Sequence, residues 1–237
     1  MMVLRLPALA LVAAALHVSL PTPASAAVIV ETGIDDTVFT TRCGGTACEK
    51  AVAEGRAGNQ AANGDFEAAL GVPNTLTTAN INAGGGSAQF TGWNAGAAWT
   101  LSYTAASNEL VFDVTGLPAL TTTSADIADA PSIFVRVRGR DDTQSASLSG
   151  LTFNGQTLGD GTLSSTGSAA YLAFAGFEPT ADWVLAGVAQ LVGGRGSAPA
   201  FQVKLTDAQV VPVPAALPLL ASGILGLAWL RRRRATV

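Results

Sequence analysis

Side chains able to do chemistry are few in this 237-residue chain. Its single histidine, His17, and both methionines, Met1 and Met2, fall within the first twenty-six residues. The body beyond them has no imidazole, which excludes a Ser-His-Asp triad, a Cys-His pair and a histidine-ligated zinc. Nothing in that body titrates near neutral pH unless its surroundings shift it. Two cysteines, Cys43 and Cys48, enclose Gly-Gly-Thr-Ala. A redox pair of the thioredoxin kind has two intervening residues and a helix start. A close, isolated pair in an exported chain reads instead as a structural disulfide, and the glycines let the turn bend enough to close it.

Carboxylates are the other candidates. Asp35-Asp36 and Asp141-Asp142 are expected in loops, and Asp160 lies in Gly159-Asp160-Gly161. Loop carboxylates can hold Ca²⁺, but none of these has the spacing of a D-x-D-x-D-G loop. The plainer reading is turn residues bonded to their own backbone. Two carboxylates across a cleft would serve glycoside hydrolysis without histidine, yet no aromatic-flanked acidic motif stands out. No catalytic residue, metal ligand or cofactor is assigned, and the chain reads as a non-enzyme. Trp93, Trp99 and Trp183 could stack on sugars. Trp99 belongs to an inward alternation and Trp183 opens an apolar strand, so both read as core. Trp93, between Gly92 and Asn94, is the one expected at the surface as a possible ligand contact.

The two ends position this body. Arg5, the apolar stretch Leu6 to Leu20 and Ala24-Ser25-Ala26 have the order of a secretory signal peptide over residues 1–26, with cleavage before Ala27. At the far end, Ala215 to Leu230 is apolar and Arg231, Arg232, Arg233 and Arg234 follow. Sixteen helical residues span roughly 24 Å, short of the ~30 Å hydrocarbon core, and snorkelling arginines with local thinning close that gap. The arginines place residues 231–237 in the cytoplasm as a membrane stop, and the body outside.

This tail resembles the PEP-CTERM sorting signals of Gram-negative bacteria in their V-P-x-P-A form. Val211, Pro212, Pro214 and Ala215 match, ahead of a transmembrane helix and a basic cluster. Val213 stands where the family commonly has Glu or Leu. The resemblance implies an exosortase-like membrane enzyme that recognises the motif and removes the helix. The chain would pass through an inner-membrane intermediate to the cell surface or extracellular matrix, with exopolysaccharide as a possible partner.

Between the ends, eight basic residues face all seventeen acidic ones, a net charge of −9. Such a body suits solubility and does not suit nucleic acid, whose phosphates require Lys and Arg. Its length fits one domain. Period-two alternation marks strands at Trp99–Tyr103, Leu110–Val114, Ile133–Val137 and Phe201–Leu205, and further strands are expected at Leu148–Phe153, Tyr171–Phe174 and Trp183–Leu191. Asn154-Gly155, Asp160-Gly161 and Gly193-Gly194 mark turns. Glu49 to Arg56 reads as a short helix, with Lys50 and Glu54 paired four apart and Gly58 near its end. Ala119 to Pro131 reads as a long polar loop.

Gly92-Trp93-Asn94-x-Gly96-x-x-Trp99-x-Leu101-x-Tyr103 resembles the exported choice-of-anchor β-sandwich domains, which implies a sandwich body and carries over no catalytic residue. The expected fold is all-β, an antiparallel jelly-roll-like sandwich over residues 27–207 with one short N-terminal helix. A linker and sorting motif at 208–214 and a separate transmembrane helix at 215–230 follow. The expected function is a non-catalytic surface or matrix protein of the cell envelope or biofilm. The competing expectation is a carbohydrate-binding module that uses an exposed Trp93 and a loop-bound Ca²⁺.

Overall fold

Alternating apolar residues need a second apolar face to bury against, and the chain supplies it by building two antiparallel sheets. A computed structural model describes residues 28–45, 47–57, 66–71, 92–193 and 198–210. The expected signal peptide at 1–26, the expected sorting motif at 211–215, the expected transmembrane helix at 215–230 and the arginines at 231–234 lie outside the described residues. Among the described residues no helix is long and apolar enough to cross a membrane.

The strands are β1 (Ile29–Ile34), β2 (Glu49–Ala57), β3 (Phe66–Gly71), β4 (Ala97–Thr104), β5 (Glu109–Val114), β6 (Leu120–Thr123) and β7 (Ser132–Arg138). They continue with β8 (Ser145–Phe153), β9 (Gln156–Thr157), β10 (Leu163–Thr166), β11 (Ala169–Ala175), β12 (Trp183–Val192) and β13 (Ala200–Thr206). One sheet has the order β1-β11-β7-β13-β2-β3; the other runs β10-β8-β12-β4-β5-β6, with β9 paired to β8. From β6 onward the chain changes sheet at most connections, so strands distant in sequence become neighbours. The fold is an all-β antiparallel sandwich.

The inward faces are those the alternation marks. Trp99, Leu101, Tyr103, Leu110, Phe112, Ile133, Val135, Val137, Phe201, Val203 and Leu205 are all buried in one core. Polar residues between them face outward, as one-sided antiparallel sheets require.

The short helix forms elsewhere than at Glu49–Arg56. It is α1, Asp36–Cys43, and it rests on caps more than on propensity, since Thr37, Val38, Thr40 and Thr41 are poor helix formers. The Asp35 carboxylate accepts the Val38 N–H at 2.8 Å, Asp36 and Arg42 suit the two dipole ends, and Gly44 closes the helix at φ 60°. Glu49–Ala57 is instead a strand because its small residues Ala51, Ala53, Gly55 and Ala57 form a flat inward face under large rings. Lys50 pairs with Asp207 at 2.9 Å rather than with Glu54. The expected loop at 119–131 also carries structure: β6, then a 3-10 turn at Ala125–Asp129 that drives Ile127 into the core.

The disulfide forms as expected between Cys43 and Cys48, whose Cα atoms are 4.8 Å apart. It joins the end of α1 to the start of β2, and not to the start of a helix. Closing so short a loop contributes about 2 kcal/mol by chain entropy. The double variant Cys43→Ala/Cys48→Ala should therefore unfold at a lower urea midpoint with an unchanged m-value. An unchanged midpoint would show that the bond contributes nothing.

Candidate functional site

The two outer faces of the sandwich differ in kind. On the first sheet, cross-strand register lines up Tyr171, Arg136, Gln202 and Glu54 on β11, β7, β13 and β2. Arg136 donates to the Gln202 carbonyl oxygen at 3.2 Å, and Gln202 donates to Glu54 at 2.7 Å. Arg56 extends the row to Glu67 at 2.8 Å. Helix α1 lies over this face. Phe39 packs on Phe134 and stacks on Tyr171 at 5.1 Å, and the Asp36 carboxylate accepts from Arg136 Nε and Nη2 and from the Tyr171 hydroxyl. Arg42 forks onto Glu31 with two bonds of 2.7 Å.

Burial alone would raise the Asp36 carboxyl, but the bonds from Arg136 and Tyr171 outweigh it and hold the group below its ordinary 3.8. Burial and the bond to Asp36 push the Tyr171 phenol above its ordinary 10.0. The helix clamp thus contributes fully between these values. Asp36 loses its share as pH falls below 3.8, and Tyr171 loses its share as pH rises above 10.0. Asp36→Asn should reduce the acid slope of the urea midpoint against pH; an unaltered slope would show that the clamp does not titrate. No nucleophile paired with a free base stands in this row, so its chemistry is that of a fastening.

Among the described residues, a concave feature lies at one end of the sandwich. It is an open cleft of about 760 Å³ lined by Val28 and Val30 at the chain entry, Phe153, Leu158, Phe177 and Trp183 below, and a polar rim. Phe177 is half-buried and touches Phe153, Phe174 and Trp183, with ring centroids 5.1, 6.0 and 6.3 Å away. The rim is held by its own bonds. Asn154, at φ 49° in the β8–β9 turn, accepts the Val184 N–H at 2.8 Å. Asp182 accepts the Ala105 N–H at 2.8 Å, and Glu178 accepts the Thr180 hydroxyl at 2.6 Å. Those Thr180 bonds keep the Glu178 carboxyl below its ordinary value, the opposite of what a proton donor at neutral pH needs.

Of the residues singled out in the sequence, Trp99 and Trp183 are core, as read. Trp93 is not at the surface. It lies on α2 (Gly92–Ala95), fully buried, with its ring edge-on to Phe201 at 5.2 Å and its N–H donated to the Glu67 carbonyl. Gly92 starts a single helical turn that points the indole inward over Gly55, so it cannot contact a ligand from solvent. Asp141 accepts the Thr143 N–H and hydroxyl, and Asp160 accepts the Thr162 N–H, which is the local turn bonding expected of them. Among the described residues no three His, Cys, Asp or Glu side chains gather where a metal ion could sit. Sequence reasoning did not find the cleft. Its one local signal was Asn154-Gly155; Phe177 and Val30 meet there only through β1 pairing with β11.

An antiparallel sandwich with a fastened outer helix and an open end cleft is the class that fold and site define. No family model matches the chain, and no curated protein matches it.

Proposed function

We propose that this is a non-catalytic exported protein of the cell surface or extracellular matrix. Its jelly-roll-like body would serve in the envelope or biofilm, sorted through the tail at 211–237. The observation that carries this reading is the Cys43–Cys48 disulfide, since such a bond forms and persists in oxidising compartments. The signal-peptide pattern, the V-P-x-P-A tail and the histidine-free body agree with it. The order β2-β13-β7-β11 facing β4-β12-β8-β10 supports the jelly-roll arrangement. Residues 215–230 would hold the chain in the inner membrane until an exosortase-like enzyme cuts near Pro214. Exopolysaccharide is the expected partner. The test is Pro212→Ala/Pro214→Ala, which should leave an unprocessed chain in the inner membrane; an unchanged mature mass and location would remove the sorting role.

The end cleft favours a second reading, a carbohydrate-binding body. A half-buried ring beside amide and carboxylate groups is the arrangement a sugar uses, face to apolar floor and hydroxyls to rim. A glycan screen with and without Ca²⁺ decides between the two. A hit lost in Phe177→Ala supports the module, and uniform silence supports the structural role.

A further inference from the structure

Charge divides the ligands that the end cleft can hold. Two carboxylates line it, Glu178 and Asp182, and no Lys or Arg does. Glu178 stays ionised at neutral pH, because its Thr180 bonds hold the carboxyl below its ordinary value. Glu178 Oε1 accepts from Thr180 and Asp182 Oδ1 accepts from the Ala105 N–H. The second oxygen of each has no partner among the described residues. Asn154 is used the same way, its Oδ1 accepting the Val184 N–H and its Nδ2 left as a donor. Five of the described cations, Arg42, Lys50, Arg56, Arg136 and Lys204, are already paired with other carboxylates. Arg138 and Arg140 lie toward the opposite end of β7. Ser132 pairs with Ala175, next to the cleft's Gly176, whereas Arg138 pairs with Ala169. That stretch of strand puts about 20 Å between them, roughly twice the Debye length.

We infer that the cleft takes aminosugar units with a free ammonium and discriminates against uronic or phosphorylated sugars. This rests on the carbohydrate-binding reading of the same cleft. Phe153 and Trp183 are buried, so half-buried Phe177 is the ring on which a sugar's apolar face can lie. The sugar's hydroxyls meet Asn154 and Gln156, and its ammonium faces Glu178 and Asp182. An N-acetyl group in place of the ammonium removes that attraction, and a uronic carboxylate reverses its sign. A lysine side chain brings the same charge but has no ring face to lay on Phe177.

The test measures binding of the full chain, isolated from its producing cells, to immobilised oligosaccharides of glucosamine, N-acetylglucosamine and glucuronic acid, with oligolysine as a charge control. The glucosamine oligomer should bind most tightly, and its binding should weaken as salt rises. F177A should weaken it about tenfold. E178Q/D182N should weaken it about fivefold, and both substitutions keep the acceptor oxygens that hold the rim. E109Q/D113N removes the same charge from β5 and should leave binding unchanged. Equal or tighter binding of the N-acetylglucosamine or glucuronic acid oligomer, lost in F177A, would overturn the charge selection and keep the carbohydrate reading. An equal loss in E109Q/D113N, or oligolysine bound as tightly as glucosamine, would overturn it by showing attraction to the acidic body as a whole. No retention of any glycan would remove the carbohydrate reading together with this inference.

Discussion

Phe201→Ala is expected to cost the fold about 3–5 kcal/mol, the range for removing a ring from a packed core. Phe201 is fully buried on β13 and is the point where both sheets and α2 meet. It stacks on Trp99 at 5.5 Å, meets Trp93 edge-on at 5.2 Å and reaches Phe112 at 6.3 Å. Opposite it lies Gly55, where an added Cβ would collide with Phe201 Cε1 and stand 2.9 Å from Trp93 Cζ2. Gly55→Ala alone should therefore cost about 1–3 kcal/mol through overpacking. The double variant tests the geometry. A methyl at position 55 enters the space that Phe201→Ala opens, so the combined loss should fall below the sum of the single losses. Urea unfolding of all three variants measures it, and additive losses would mean that the two positions do not share a space.

The second large effect concerns the ion pair of Lys204 and Glu49, buried beneath α1 with Nζ 2.5 Å from Oε1. Lys204 also stands 5.2 Å from the centre of the Phe39 ring. Both side chains are nearly closed to water, 10% and 5% exposed. Removing one partner leaves a buried charge without its counter-ion, so Lys204→Met should cost about 3–5 kcal/mol. Replacing both, as in Lys204→Met/Glu49→Leu, should recover most of that loss, because the desolvation cost disappears with the attraction. If the double variant is as unstable as the single one, the pair is not the source of the loss.

These residues also show what was legible in the sequence. Period-two alternation identified the core strands because one-sided sheets leave that mark, and Phe201, Val203 and Leu205 show it directly. Glu49–Arg56 misled because Ala, Glu, Lys and Arg favour helix in isolation, while the inward set Ala51, Ala53, Gly55 fits equally well under a ring that arrives from residue 201. Tertiary packing overrode propensity there. The true helix was announced only by its caps, Asp35 at one end and Gly44 at the other, around a β-branched segment that hid it. Trp93 looked exposed between Gly92 and Asn94, since nothing local reveals that Gly55 leaves room for an indole. Lys204 alternates with the inward Val203 and Leu205, yet it is buried because Phe39 of α1 lies against it. The end cleft was illegible because its floor and rim come from β1, β8, the β11–β12 connection and β12, which only long-range pairing assembles.

Export and sorting without catalysis stand at the centre of the functional account, and intact mass spectrometry of the protein isolated from its producing cells tests them most directly. The account predicts a surface or extracellular species that begins at Ala27, ends near Pro214 and resists thiol alkylation until reduced. A chain that retains Met1 and Arg231 to Arg234, stays inside the cell and alkylates at Cys43 and Cys48 without reductant would contradict it.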